Sequence, residues 1–360
     1  MLFRSPPYHI SARSLSGPWL FIVALATPVV LAVNAGAQSD GVLRLNHIQV
    51  IATHNSYHVR PRGPLYAIVK AVYPDAVTWN YSHAPLDIQL DRGLRSFELD
   101  VYYDPRGFKV MHVPAYDRLS TCPTFAGCLE VLRGWSERHP RHVPVLLLVE
   151  LKDEAIPMGV TFIRPIDGPA LEQLDREVRA GLPADKLITP AHVRGDAPTL
   201  SDAIREKGWP TLEESRGKFL FVLHTDDRHL DLYANDSADF RARPFFMQAS
   251  GAGRDAVVWV LNNPHDPNIP RRVKEGCLVR TRADSGLKEG WAGDTSRRDA
   301  ALASGAHVVS TDFPPGEADK TTGYFVQLPG GIPARCNPLN APPGCIAADV
   351  EPLEERPQSE

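Results

Sequence analysis

The chain is 360 residues long, 43% hydrophobic and 23% charged, with a formal net charge of −4. That composition is ordinary for a globular protein, and the length suits one large α/β domain or two small ones. The acidic balance excludes the broad basic face that nucleic-acid binding needs.

Residues 1–37 read as a removable leader. Arg4 and Arg13 make a basic start, 19–33 is a short apolar stretch, and Ala35-Gly36-Ala37 is a small-residue cleavage site. The apolar stretch falls short of the roughly 20 residues that a membrane span needs, and Pro28 interrupts it. A signal peptide cut near Ala37 predicts an exported protein, extracellular or periplasmic. No cysteine sits at the cut, so a lipid anchor is not expected. Five cysteines agree with export. Cys122 with Cys128, and Cys336 with Cys345, are each placed to close a small loop. Cys277 lies in an apolar run and is the odd one, expected to be buried and inert. None has zinc-ligand spacing.

The apolar run 48–52 predicts a buried strand, and it ends in His54-Asn55-Ser56-Tyr57-His58. A histidine moves protons near neutral pH, and the Asn55 amide offers a neutral oxygen suited to a hard cation. Residues 62–92 read as an insertion or a first crossover. Leu65, Ile68, Val69 and Val72 recur at helical spacing. That helix either packs on its own domain or, with Tyr73, Trp79 and Tyr81, touches a lipid surface. Ser82 is expected to cap a short helix over 84–92, stopped by Gly93.

Strands are predicted at 94–103 and 108–113, a helix at 127–139, and a strand at 143–151. A loop follows over 153–168, then helices at 169–181 and 201–207. Strands come next at 218–224 and 245–248. The run 256–261 suits strand or helix. A strand at 276–282, an Ala-rich helix at 297–305 and a last strand at 307–311 complete the pattern. Gly251-Ala252-Gly253-Arg254-Asp255-Ala256 has the G-x-G-x-x-A form. The strand before it is short and no firm βαβ unit follows, so it reads as a turn. The segment 329–360 is Pro/Gly-rich and acidic and is expected to be a loosely packed extension.

About eight strands, several separated by helices and with no strong linker, predict a single α/β domain over 38–328. Its expected form is a distorted (β/α)8 TIM barrel. An open doubly wound sheet is the alternative.

On that fold the polar residues converge. Glu98 and Asp100 are two apart in a strand and so point to one face. His112 ends the next strand. Glu150 ends a largely apolar one, a costly place for an unpaired carboxylate, with Lys152 on the same side. In a parallel barrel these ends gather at one mouth with His54 and Asn55. The oxygens of Asn55, Glu98, Asp100 and Glu150 suit calcium, with water completing the shell. The absence of thiolate argues against structural zinc. Two histidines on different strands can face each other across a phosphate, one removing a proton while the other protonates the leaving oxygen. A cation between them stabilises phosphoryl charge. Each residue alone has a plain structural explanation: an exposed strand face for Glu98 and Asp100, a satisfied core histidine for His112. Four strand ends carrying such groups together point to metal-assisted phosphoryl transfer. Asp226 ends the fifth strand, Arg280 and Arg282 share a face of the seventh, and Asp312 ends the eighth. An arginine at the mouth would bind a phosphate or hydroxylated headgroup, and Asp312 would orient a histidine or accept from a sugar hydroxyl. Ion pairs of the arginines with Asp226, Asp284 or Asp312 are the equal alternative.

The ordered set His54-Asn55-Ser56-Tyr57, Glu98-Leu99-Asp100, Met111-His112 and Glu150-Leu151-Lys152 resembles the catalytic half of the calcium-dependent phosphoinositide-specific phospholipases C. The Val279-Arg280-Thr281-Arg282-Ala283-Asp284 and Ser310-Thr311-Asp312 segments look like the secreted bacterial group, and the resemblance spans roughly residues 46–316. It implies a distorted TIM barrel, calcium held by Asn55, Glu98, Asp100 and Glu150, and His54 and His112 as the catalytic histidines. It further implies attack of the inositol 2-hydroxyl on the phosphate, giving a cyclic inositol phosphate and diacylglycerol. His112 would be the general acid. His54 would be base or transition-state stabiliser, with calcium-bound carboxylates sharing the base role. Lys152 would bind the phosphate or headgroup, with Arg280, Arg282 and Asp312 as further substrate contacts. The accessory domains of the animal enzymes are lacking, so contact with a membrane phospholipid, phosphatidylinositol or a related phosphodiester, would come from the barrel rim around 62–81. A monomer is expected. A glycerophosphodiester phosphodiesterase shares this barrel. It usually carries His-Arg after the first strand and a Pro-Glu-Asn-Thr segment, where Asn55 and Ser82-His83-Ala84-Pro85 stand here. A non-catalytic lipid- or sugar-binding module would be expected to have lost one of the six site residues, and all six are present.

Overall fold

The computed structural model describes residues 42–153, 163–235, 243–249 and 255–351. The expected leader, most of the G-x-G-x-x-A segment and the last nine residues lie outside the described residues.

Among the described residues ten strands run β1 Ile48–Thr53, β2 Ser96–Tyr102, β3 Lys109–Val110, β4 Val145–Leu151, β5 Phe219–His224, β6 Phe245–Met247, β7 Val258–Val260, β8 Leu278–Arg282, β9 Val308–Thr311 and β10 Ala334–Cys336. Eight pair in parallel in the order β6-β5-β4-β2-β1-β9-β8-β7. A parallel bridge from Gln248 to Val258 joins the two ends of that order, with Ala249 N donating to Val258 O at 2.7 Å. The eight strands therefore make a nearly closed ring, a distorted (β/α)8 barrel.

The strand period of two divides each sequence between two cores. The outward set includes Phe97, Leu99, Val101, Leu147, Val149, Phe219, Phe221 and Val309. It packs with Phe125, Leu129, Leu132, Leu171, Leu174 and Val178 from the covering helices in one large cluster. Burying each such side chain contributes about 1.5–3 kcal/mol. Inside the ring, Leu148, Leu220, Val222, Phe246, Val258 and Leu278 fill the lower part. The covering helices start where capping chemistry allows. Thr124 accepts from Gly127 N to open Phe125–Arg138, and Asp167 from Ala170 N to open Gly168–Gly181. The helix expected over 84–92 is shorter, Leu86–Asp91, and is preceded by Pro85. Ser82 caps nothing there; its hydroxyl accepts from Arg60 N.

The expected strand count stands after one exchange. The run 108–113 is not a barrel strand. A tight turn at 104–107, closed by Gly107 N to Asp104 O at 2.8 Å, folds it back so that β3 runs antiparallel to β2. A connection that short can only join antiparallel strands. The ambiguous run 256–261 takes its place, with β7 parallel to β8. The expected loose extension is also corrected for residues 329–351. β10 adds antiparallel to β1, Ala334 and Val350 are fully buried, and Glu351 accepts from both Arg95 Nε and Val143 N. Disulfides join Cys122 to Cys128 and Cys336 to Cys345, and Cys277 is buried and free.

Candidate active site

The site begins at the turn after β1. Asn55 has a positive φ of 44°, a conformation its short polar side chain tolerates better than most. The turn is held to the neighbouring strand: Ser56 N donates to Glu98 O at 2.9 Å, and Ser56 Oγ accepts from Glu98 N at 2.8 Å. The Gln89 amide donates to Ser56 O at 2.7 Å. Asn55 is thereby fixed beside Glu98, next to the half-buried Tyr81.

Parallel register sets the next three groups side by side. Asp100 pairs with Glu150, and Glu150 with His224. Carboxylate oxygens of Glu98, Asp100 and Glu150 lie within 4.8 Å of one another. Glu98 is bound by Arg280, which also donates to Asn262 and to Ser310 Oγ. Burial raises the Glu98 carboxyl, but Arg280, backed by His54, His224 and Arg282, brings it down to about 2. Asp100 is fully buried and neither carboxylate oxygen has a hydrogen bond. Burial and then the Glu150 charge push it up to about 7, against the pull of Lys152 and His112. Lys152 lies with its Nζ 2.6 Å from Glu150 Oε1 and 3.4 Å from Asp100 Oδ2. Burial lowers its ammonium, and the two carboxylates more than reverse that.

Both expected histidines reach this mouth, each on a buried aspartate. His54 Nδ1 is 2.8 Å from Asp312 Oδ1, whose other oxygen accepts from Arg282 at 2.8 Å. Burial, then the Arg282 charge, lowers His54, while Arg282 and His54 outweigh burial and hold Asp312 ionised. His112 Nδ1 is 2.8 Å from Asp117 Oδ2, and the same oxygen meets His58 Nε2 at 2.8 Å. His112 stands on the loop after the β2–β3 hairpin, not on a barrel strand, with the Trp79 ring perpendicular to its own and 5.3 Å away.

Arg280 and Arg282 do share a face, and the expected ion pairs form at Arg282, while Arg280 takes a partner that was not expected. Arg280 takes Glu98, and Arg282 takes Asp312 with Asp284 at 3.9 Å. Asp226 is no part of the mouth. It accepts from His229 N and lies 2.7 Å from His229 Nδ1 at the start of the next helix. From sequence, Asp117, His58, His83 and His224 carry no assigned role, and Tyr81 is placed only at a lipid surface. His83 bridges Glu317, at 2.6 Å, to His54 O. For Asp117 the available signal was its position five residues after His112, within a turn closed by Asp117 N to Val113 O. His224 could have been found by the strand-end rule that found Glu150.

A family model described as phosphoinositide phospholipase C, Ca2+-dependent, matches residues 43–107 and 105–338. The chain belongs to that family. This phospholipase C is thus a phosphodiester-cleaving enzyme of a calcium-dependent group. Its fold is also that of two solved bacterial enzymes. One is a calcium-dependent phosphoinositol-specific phospholipase C from Pseudomonas sp., at 17% identity and TM-score 0.54 over 82% of this chain and 95% of that one. The other is a Ca2+-dependent phosphatidylinositol-specific phospholipase C from Streptomyces antibioticus, at 21% identity and TM-score 0.53 over 75% and 95%. No curated protein matches the chain. The acidic group fits the family's metal. Its donors are hard oxygens, and neither oxygen of the buried Asp100 is hydrogen-bonded, which leaves both open to a cation.

Proposed function

We propose that this phospholipase C is exported and cleaves the phosphodiester of phosphatidylinositol in a membrane surface by acid–base catalysis between His54 and His112. The observation that carries the reading is the pairing of two histidines, each on its own buried aspartate, with three convergent carboxylates at one barrel mouth. Asn55, Glu98, Asp100 and Glu150 would hold calcium, which supplies positive charge to the phosphoryl oxygens when bound. With Nδ1–H donated to Asp312, His54 presents the Nε2 lone pair and takes the proton of the inositol 2-hydroxyl as its oxygen attacks phosphorus. With Nδ1–H donated to Asp117, His112 carries its second proton on Nε2. It gives that proton to the glycerol oxygen as the old P–O bond breaks. Diacylglycerol leaves, and phosphorus remains in a cyclic inositol phosphate.

Contact with the bilayer is assigned to the segment after β1. Leu65, Ile68, Val72 and Tyr73 are each at least half exposed, on and just past the helix Pro64–Val72. Trp79 follows nearby, with its ring perpendicular to that of His112. No described helix is long and apolar enough to cross a membrane. Export is supported by the composition of residues 1–37 and by the two disulfides.

The test is release of diacylglycerol and phosphorylated inositol from phosphatidylinositol vesicles, in calcium and then in excess chelator. Both products should appear only in calcium, and His112→Ala should cost about a hundredfold or more in kcat. Activity on glycerophosphoinositol or glycerophosphocholine with none on vesicles would instead favour a glycerophosphodiesterase. Silence on all of these in a folded protein would favour a binding module.

A further inference from the structure

Two of the three clustered carboxylates already carry a cation supplied by the chain. Lys152 stands two residues beyond Glu150, fixed by its own N–H to Val101 O at 3.0 Å, so its side chain points the same way as that of Glu150. Its ammonium lies 2.6 Å from Glu150 Oε1 and 3.4 Å from Asp100 Oδ2, and the side chain is 16% exposed. Since Asp100 has no hydrogen bond on either oxygen, Lys152 is its neutralising neighbour. The third carboxylate is treated differently. Arg280 on Glu98 is also tied to Asn262 and Ser310, which fixes the guanidinium from three sides. Lys152 is held by the two carboxylates through a flexible four-carbon stem. Of the two internal cations it is the one that can leave.

We propose that Lys152 is an exchangeable counter-cation of the acidic cluster. It neutralises Asp100 and Glu150 when calcium is away, is released from them when calcium is bound, and then carries its ammonium to the substrate phosphate. The inference rests on the calcium-dependent reaction proposed above and adds an order to it. The cation that meets the phosphate is withheld until the metal is in place, because an ammonium and a divalent cation repel each other and cannot both occupy the same pair of carboxylates. Calcium and the phosphate headgroup then promote each other's binding through one side chain, as linkage requires. Lys152 is here both a competitor of the metal and a phosphate ligand, in turn.

The experiment follows the wild-type protein. The rate at which a small amine-acylating reagent modifies Lys152, read by mass spectrometry, is measured in chelator, in calcium, and in calcium with inositol 1-phosphate. The expected pattern is protection, then a severalfold faster reaction, then protection again. Calorimetry gives the second reading: Lys152→Met should bind calcium about tenfold more tightly. Lys207→Met, an equal loss of charge at the exposed end of the helix Leu200–Lys207, should not. Labelling that ignores calcium, or no gain of affinity in Lys152→Met, overturns the exchange and leaves the reaction standing. A wild-type protein that binds no calcium overturns the calcium reading itself and the exchange with it. If Lys152→Met does not fold, the labelling of the wild type decides.

Discussion

At the scale of single residues, two buried aspartates each hold one of the proposed catalytic histidines. Asp312 is shared between His54 and Arg282, so its charge fixes the histidine tautomer while the arginine keeps it ionised. Asp312→Asn removes that charge at constant shape. It can present the wrong hydrogen-bonding edge to His54 and leaves Arg282 without that partner. We expect kcat on phosphatidylinositol vesicles to fall by about 10²- to 10⁴-fold, with calcium affinity by calorimetry little changed. An equal loss of calcium affinity would move Asp312 from positioning the base to holding the metal cluster together. Asp117 does for His112 what Asp312 does for His54, with the difference that a second imidazole, His58, holds it from below. Most groups at the mouth were legible in sequence because carboxylates or an imidazole interrupt or end apolar runs there, whereas His112 was found on a run that is not a barrel strand. Asp117 and His58 were not legible. They meet across 59 residues through a loop whose course follows no periodic rule.

At the scale of elements, hydrophobic period identified the helix Pro64–Val72 but not which side of it faces water. Tyr66 and Val69 turn inward, with the Tyr66 hydroxyl donating to Ala76 O at 2.9 Å. Leu65, Ile68 and Val72 remain outside. A stripe wide enough to include both faces cannot be oriented without knowing what lies beneath it. That exposed face gives a direct prediction. Replacing Leu65, Ile68 and Val72 together by Ser removes apolar area worth several kcal/mol if it is buried in lipid. Sedimentation with phosphatidylinositol vesicles should show binding weakened by about tenfold or more, while cleavage of a soluble inositol phosphodiester is retained. Unchanged vesicle binding would move the lipid contact elsewhere on the rim. The 108–113 exchange has a different origin. Its alternation suits a strand, but Asp104-Pro105-Arg106-Gly107 is a reversing turn, and a turn of that kind decides the direction of the strand that follows it.

At the scale of the whole molecule, the fold buries neutral imidazoles far from the mouth. His307 is 3% exposed and burial lowers it to about 3. His142 is likewise lowered by burial, to about 4, against a hydrogen bond to Val143 O. Because both folded values lie below the unfolded value near 6.5, the unfolded chain binds the extra protons. Their effect is absent above about pH 7 and grows as pH falls toward 4. Each should subtract roughly 2–3 kcal/mol between pH 7.5 and 4.5. His307→Gln loses stability at neutral pH, since Nδ1 accepts from Val279 N. Its decline on acidification should nevertheless be shallower than the wild type's by about that amount in urea unfolding. Parallel curves would mean that His307 is already reached by water in the folded protein. The barrel itself was legible from the count and spacing of apolar runs. The clasp of residues 329–351 was not, because Pro, Gly and acidic residues signal looseness unless a partner such as Arg95 is known to await them.

One feature of the ring bears on when the enzyme can act. His54 leaves the first strand, yet its backbone N–H is bound by Thr311 and its ring by Asp312, both at the end of the last barrel strand. A chain cut before Val308 would still contain both histidines and every member of the acidic cluster, and would have nothing to aim His54. On the mechanism proposed above, competence requires the last barrel strand to be docked on the first. A nascent or trimmed chain that stops short of Asp312 carries the proposed catalytic groups in an unarmed form, and turnover becomes a readout that synthesis has passed that point.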